Sequence, residues 1–142
     1  MILDTTYLLP LARIAIDTDL LGAIAEGRTD LKIEEFGISL ISIFELQAKA
    51  VKLTIPAKFT VKAVEAILTA FRVKPFHDAE IIDVSYELRK IIPDYVDCVI
   101  AATAVVLKED LATEDSLILA QMKALRKEYG IKVMSFRGLV NR

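Results

Sequence analysis

Residues 94–116 read Asp94-Tyr-Val-Asp97-Cys98-Val-Ile-Ala-Ala-Thr-Ala-Val-Val-Leu107-Lys-Glu-Asp-Leu111-Ala112-Thr113-Glu114-Asp115-Ser116, and the fold follows from how they alternate. From Asp94 to Leu107 the run is a nearly all-apolar helix, with Asp94 placed to cap it and Asp97 in its third position. Leu111-Ala112-Thr113 is then a short buried strand. Ser116 opens another helix that reaches Tyr129 and closes at Gly130, and Ile131 to Phe136 reads as a last strand.

The same alternation extends toward the N-terminus. Ile2-Leu3 is a short buried strand, and Thr5 to Arg13 is a helix with Pro10 late enough to bend it. Asp17 to Glu26 carries Leu20, Leu21 and Ile24 on one face and ends at Gly27. Phe36 to Ile41 is strand-like, and Ser42 starts a helix with Ile43, Phe44, Leu46, Ala50 and Val51. Pro56 opens the next helix, whose Phe59, Ala63, Ile67 and Phe71 fall at intervals of four, widened by Val64 and Leu68. Val73 to Phe76 is a strand and Asp78 to Lys90 an amphipathic helix. Strands that alternate with helices need crossover connections, which make their neighbours parallel. The expected architecture is α/β, three layers with helices on both faces of a mainly parallel sheet of about five strands. No repeat, low-complexity tract or Pro/Gly/Ser linker divides the chain, so residues 1–142 are expected to form a single domain.

Composition narrows the function classes. The chain has 142 residues, 54% of them hydrophobic and 27% charged, with a formal net charge of −2. Mean hydropathy is +0.46 and the pI near 5.5. That much apolar character points to a partner-covered surface and a homodimer through apolar helices. The longest apolar run, Cys98 to Leu107 broken only by Thr103, falls short of the roughly 20 residues a bilayer requires, which argues against a membrane role. Met1 leads directly into Ile2, Leu3 and Asp4 without a basic leader. Cys98 is the only cysteine, so no intrachain disulfide forms and a cysteine zinc site is implausible. A cytoplasmic setting is the expectation. The net charge carries no nucleic-acid-style excess of bases, although Lys49, Lys52, Lys58, Lys62, Arg72 and Lys74 face only Glu65 across one stretch. Those bases form either a phosphate-tracking strip or a solvated helical face.

Four acids stand out: Asp4, Glu45, Asp97 and Asp115. Each lies where an apolar strand hands over to a helix or within a helix too apolar to favour it. A carboxylate beside buried apolar surface costs several kcal/mol unless a donor, a base or a metal pairs it. Taken singly, each has a capping explanation. Asp4 and Asp115 precede helices, Asp94 precedes the apolar helix, and Ser42-Ile-Phe-Glu45 has the capping-box pattern. Taken together, Asp4, Glu45 and Asp115 gather at one edge of the sheet, because all three follow strands and ligands collect beyond the carboxyl ends of parallel strands, while Asp97 on its apolar helix should look into the molecule or into a cleft. Clustered anions raise one another's pKa values, and a divalent cation relieves that repulsion. Oxygen-only ligands suit Mg²⁺ or Mn²⁺, and such a centre points to phosphodiester hydrolysis without a side-chain nucleophile.

These residues resemble a PIN domain, and more narrowly the VapC-type toxin ribonucleases of toxin–antitoxin pairs. The resemblance rests on Ile2-Leu3-Asp4-Thr5-Thr6, Ser42-Ile43-Phe44-Glu45-Leu46, the segment Asp97 to Ala104, and Ala112-Thr113-Glu114-Asp115, in an order that covers nearly the whole chain. It implies a metal-dependent ribonuclease whose catalytic, metal-binding acids are Asp4, Glu45, Asp97 and Asp115, acting on RNA and held inactive by a small antitoxin protein. Thr113 resembles the family's hydroxyl neighbour that steadies the site, and Asp94 stands as an outer acid. Many relatives carry a further acid or Asn two or three residues after the last Asp, where this chain has Leu117 and Ile118.

Other chemistries find less support. His77, the only histidine, sits beside Asp78 at a strand end, where a general base or a metal ligand is conceivable. No Gly-x-Ser-x-Gly elbow, Gly-x-Gly-x-x-Gly turn or phosphate loop is present. A phosphorelay receiver needs clustered acids after its first strand, whereas Asp4 is followed by two threonines. An aspartyl-phosphate phosphatase needs an Asp where Thr6 stands. The remaining alternative is a PIN-like module that keeps the acids but serves as a non-catalytic binding or regulatory subunit.

Overall fold

A computed structural model describes residues 1–140. Five short strands, β1 (Ile2–Leu3), β2 (Gly37–Ser39), β3 (Arg72–Lys74), β4 (Leu111–Ala112) and β5 (Val133–Met134), form one sheet in the order β3-β2-β1-β4-β5. Every pairing is parallel, as the alternation of strands and helices predicts. β1 is central, with Ile2 opposite Gly37 on one side and Leu111 on the other. The strand order runs outward from β1 through β2 and β3, then restarts on its other side with β4. The switch point of the sheet therefore lies between the carboxyl ends of β1 and β4, where open α/β sheets bind ligands.

Alternation along β1 divides the interior in two. Leu3 joins Tyr7, Leu8, Phe36, Ile38, Leu46 and Ile67 in one core, while Ile2 joins Ile81, Leu88, Ile92, Ile100 and Leu125 in the other. The expected layers on both faces of the sheet are present. Helix α5 (Tyr95–Leu107) explains its own composition, because Cys98 through Ala104 are all buried against the second core and against α4 (Ala79–Leu88). A helix packed on nearly every side has no use for a polar stripe.

Several boundaries depart from the sequence reading. The helix after β1 is a 3₁₀ segment, Thr5–Ala12, containing Pro10 and ending at Arg13 in the left-handed region (φ 65). Helix α1 covers only Leu20–Ala25. Helix α2 runs Leu40–Lys52 and is capped by Ser39, whose hydroxyl accepts from the Ile41 amide at 3.3 Å. Ser42 is thus already inside the helix, and the expected Ser42–Glu45 capping box does not form. Helix α3 spans Ala57–Ala70. The single helix expected from Ser116 to Tyr129 is two, α6 (Ser116–Leu119) and α7 (Met122–Tyr129), with a tight turn at Ala120–Gln121 in which the Gln121 amide reaches back to Ile118. Gly130 closes α7 at φ 73, a conformation that strains any residue with a Cβ. A four-residue helix, α8 (Phe136–Leu139), follows β5. Among the described residues no helix is long and apolar enough to cross a membrane.

Candidate active site at the carboxyl edge of the sheet

The switch point opens into a cleft of about 560 Å³ lined by Asp4, Glu45, Asp97, Glu114 and Asp115, with Lys49 and Lys52 at its side. The chain path places each acid. Asp4 directly follows β1, Glu45 lies on the second turn of α2, Asp97 on the first turn of α5, and Asp115 between β4 and α6. All four acids singled out in the sequence therefore face one space. Asp94 stays outside as the cap of α5, accepting from the Asp97 amide at 3.2 Å.

Asp4 is the most constrained of the set, only 6% exposed. Its Oδ1 accepts from the Thr5 amide at 2.6 Å and its Oδ2 from the Thr113 hydroxyl at 2.5 Å. Burial nevertheless raises its pKa above the usual carboxylate value, against the pull of those two donors, and Asp115 and Glu114 push in the same direction. Thr113 performs a second task with the same oxygen, which accepts from the Asp115 amide at 3.0 Å. One hydroxyl thus links the carboxylate after β1 to the backbone after β4. Thr5 does the equivalent for Glu45, donating its hydroxyl to Oε1 at 2.5 Å. Glu45 is shifted upward by burial first, then by Asp4 and Asp94, with Thr5 and Lys49 opposing.

Asp97 also lies above the usual carboxylate range. Half-burial on the apolar helix, followed by repulsion from Asp115, Asp4, Asp94 and Glu45, pushes its carboxyl up to about 7. Asp115 caps α6: its Oδ1 accepts from both the Leu117 and Ile118 amides at 2.9 Å. The capping explanation is therefore realised for Asp115, and among the described residues Oδ2 makes no hydrogen bond.

Glu114, which the sequence pattern does not single out, also lines the cleft. It accepts from the Tyr7 hydroxyl and from the Phe136 amide at 2.6 Å, tying the 3₁₀ segment and the start of α8 to the end of β4. Burial of Tyr7, and after it the bond to Glu114, raise the phenol pKa well above its usual value. No local pattern marks Glu114, because both partners come from distant parts of the chain. His77 is 77% exposed, 3.9 Å from Asp78, and takes no part in the cleft. Cys98 is buried, its thiol pushed up to about 11 chiefly by desolvation, and it donates to the Ile92 carbonyl.

Among the described residues no three His, Cys, Asp or Glu side chains form a ready-made metal cage. The cleft acids instead rim an open space. Five carboxylates against two lysines leave an excess of negative charge, and all the donors are hard oxygens. An open rim of this kind suits Mg²⁺ or Mn²⁺, since Mg²⁺ is usually held by one or two carboxylates and completes its shell with waters and substrate phosphate.

The family model for the PIN domain matches residues 1–125. No curated protein matches the chain significantly. Among solved structures, FitAcB from Neisseria gonorrhoeae aligns with a TM-score of 0.65 at 22% identity, covering 95% of this chain and 96% of that one. FitAB bound to an IR36 DNA fragment aligns at 0.64 and 20% identity, covering 95% and 94%. A toxin–antitoxin complex from Klebsiella pneumoniae aligns at 0.59 and 22% identity, covering 81% and 86%. At these identities the similarity is one of fold.

Proposed function

The chain belongs to the PIN domain family, and from that premise we propose that it is a divalent-metal-dependent endoribonuclease that hydrolyses RNA phosphodiesters. We further read it as the cytoplasmic toxin of a type II toxin–antitoxin pair, working as a homodimer and silenced by a small antitoxin protein. PIN domains are in general nucleases that use divalent metals. The observation that carries the reading is the convergence of Asp4, Glu45, Asp97 and Asp115, from four separate segments, on one cleft at the switch point. A structural role as caps accounts for Asp115 and in part for Asp4, but leaves Glu45 and Asp97 unexplained in mid-helix and on an apolar helix. The fold shared with toxin–antitoxin structures supports the antitoxin partner.

In this reading Asp4, Glu45, Asp97 and Asp115 hold Mg²⁺ or Mn²⁺, with Thr113 as the supporting hydroxyl and Asp94 as an outer acid. When bound, such an ion neutralises charge on the scissile phosphate and makes a water more acidic. The protein's own contribution is positional and electrostatic. Thr113 and the Thr5 amide fix both oxygens of Asp4, and the Thr5 hydroxyl fixes Glu45. Asp97, its carboxyl pushed up to about 7 by burial and neighbouring acids, would have to be ionised to hold such an ion, so its share of the site would depend on pH.

The test is cleavage of single-stranded RNA by purified protein with Mg²⁺ or Mn²⁺, its loss with chelator, and its loss in a folded Asp97→Asn variant. Cleavage that is insensitive to chelator and equal in Asp97→Asn would remove the metal mechanism.

A further inference from the structure

Of the six bases between Lys49 and Lys74, Lys62 lies away from the cleft and the other five separate into two groups in the structure. Arg72 is bound to Glu109 at 2.6 Å and Lys74 to Asp78 at 2.7 Å, while Lys58 lies over the Phe59 ring at 5.1 Å. Lys49 and Lys52 have no carboxylate within ion-pair distance among the described residues, yet both line the acidic cleft. They sit on α2 together with Phe44, Glu45 and Ala48, at helical intervals of three and four that place all five on one stripe facing the cleft. Glu45 marks the inner end of this stripe. Lys52 marks the outer end, about 10 Å further along the axis at 1.5 Å per residue. Phe44 is 65% exposed, an open aromatic face beside the acids.

We propose that this stripe of α2 is a track for single-stranded RNA leading out of the cleft, with Lys49 and Lys52 holding backbone phosphates and the Phe44 ring stacking on a base. The proposal rests on the ribonuclease reading above and adds the path of the strand. Both lysines lie in the last turns of α2 and complement the negative end of its dipole. That role requires proximity to the helix end but not a position facing the cleft. Uncommitted cations interleaved with an exposed ring meet the two sequence-independent needs of a single strand, backbone charge and stacking. Ala48 between them keeps the track open, having no side chain beyond its Cβ.

Binding is read by fluorescence anisotropy of a labelled single-stranded 12-mer RNA with Mg²⁺ across a salt series, in an Asp97→Asn background that prevents turnover. Lys49→Gln with Lys52→Gln makes the plot of log affinity against log salt shallower by about 1.4, since each phosphate neutralised on a single strand contributes about 0.7. Phe44→Ala weakens affinity about tenfold and leaves that slope unchanged, as loss of one stacked base should. In the catalytically competent protein the lysine pair raises KM more than it lowers kcat. All three side chains are exposed; the melting temperature of Phe44→Ala stays near the parent value, and that of the double lysine variant falls only slightly, by the lost complement to the helix dipole. A wild type that cleaves RNA while the double lysine variant keeps the parent slope and affinity overturns the track and leaves the nuclease standing. A wild type that neither binds nor cleaves RNA overturns both. Tight binding of polyglutamate that depends on Lys49 and Lys52, with RNA affinity unaltered in the double variant, gives the stripe to an acidic peptide and overturns the assignment to RNA.

Discussion

The Thr113 hydroxyl donates to Asp4 Oδ2 at 2.5 Å and so joins the ends of the two parallel strands that flank the switch point of the sheet. Thr113 is fully buried and Asp4 nearly so, which makes this bond costly to break. In Thr113→Val the Asp4 carboxylate loses one donor and the Asp115 amide loses its acceptor. Leaving buried polar groups unmatched costs about 1–3 kcal/mol, visible as a lower melting temperature. The Asp4 carboxyl moves further above its ordinary range because a stabilising hydrogen bond is gone, and the Mg²⁺ midpoint for cleavage rises about 10–100-fold. Thr113→Ser restores both. A valine variant with the parent's Mg²⁺ midpoint would refute the supporting role.

Asp115 caps α6, and the metal-binding role proposed for it is one that a pair of substitutions can separate from the cap. Its Oδ1 satisfies two amides at the start of α6. Asp115→Asn keeps an oxygen that can cap but removes the charge, so stability stays near the parent while Mg²⁺-dependent cleavage falls. Asp115→Ala loses the cap as well and melts lower, by about 1 kcal/mol of stability. Equal cleavage in the parent and the Asn variant would leave Asp115 as a cap alone.

Burial raises Asp4, Glu45 and Asp97 above their ordinary pKa values, Asp97 to about 7. Between about pH 4 and pH 7 the folded metal-free chain therefore binds more protons than the unfolded chain. Folding stability must fall as pH rises through that window. The Asp97 contribution is about 1–2 kcal/mol once solvent screening at a half-buried group is allowed for. Thermal melts in chelator should show the decline, a smaller decline in Asp97→Asn, and recovery of the parent at pH 7 on adding Mg²⁺. A metal-free melting temperature that rises from pH 5 to pH 7 contradicts the shifts.

Ser42 offers a test at the edge of the site. Its hydroxyl oxygen is fully buried on α2 with no hydrogen-bond partner among the described residues. Ser42→Ala removes an unmatched polar atom and improves helix propensity, so the variant melts at or above the parent, by up to about 1 kcal/mol of stability. A loss of more than about 1 kcal/mol in urea titration would mean that the hydroxyl is matched in solution.

Periodicity made the fold legible, because Ile2-Leu3, the apolar run after Asp97 and Leu111-Ala112 have no other reading that buries them. It also brought Asp4, Glu45 and Asp115 to one edge, and the apolar helix after Asp97 turned that acid toward the interior or a cleft. What it missed has physical causes. Ser39 and Ser42 are both plausible N-caps, and only the pairing of β2 with β3 through Ser39 opposite Lys74 ends the strand where Ser39 can cap. The break at Ala120–Gln121 contains neither Gly nor Pro, so no local signal announced it. Glu114 escaped because Tyr7 and Phe136, its partners, lie 107 and 22 residues away. Lys49 and Lys52 were visible as charges, but the side of α2 they occupy relative to the cleft required the packing of α2 on the sheet.

The pairing of β1 with β4 joins residues 109 positions apart, Ile2 with Leu111 and Leu3 with Ala112. During synthesis Asp4 leaves the ribosome long before Asp115, with the whole stretch between β1 and β4 emerging in between. Contacts of such long range form only once the intervening chain is available to close the loop. A growing chain therefore carries Asp4 and Glu45 with no cleft to place them in until β4 has emerged.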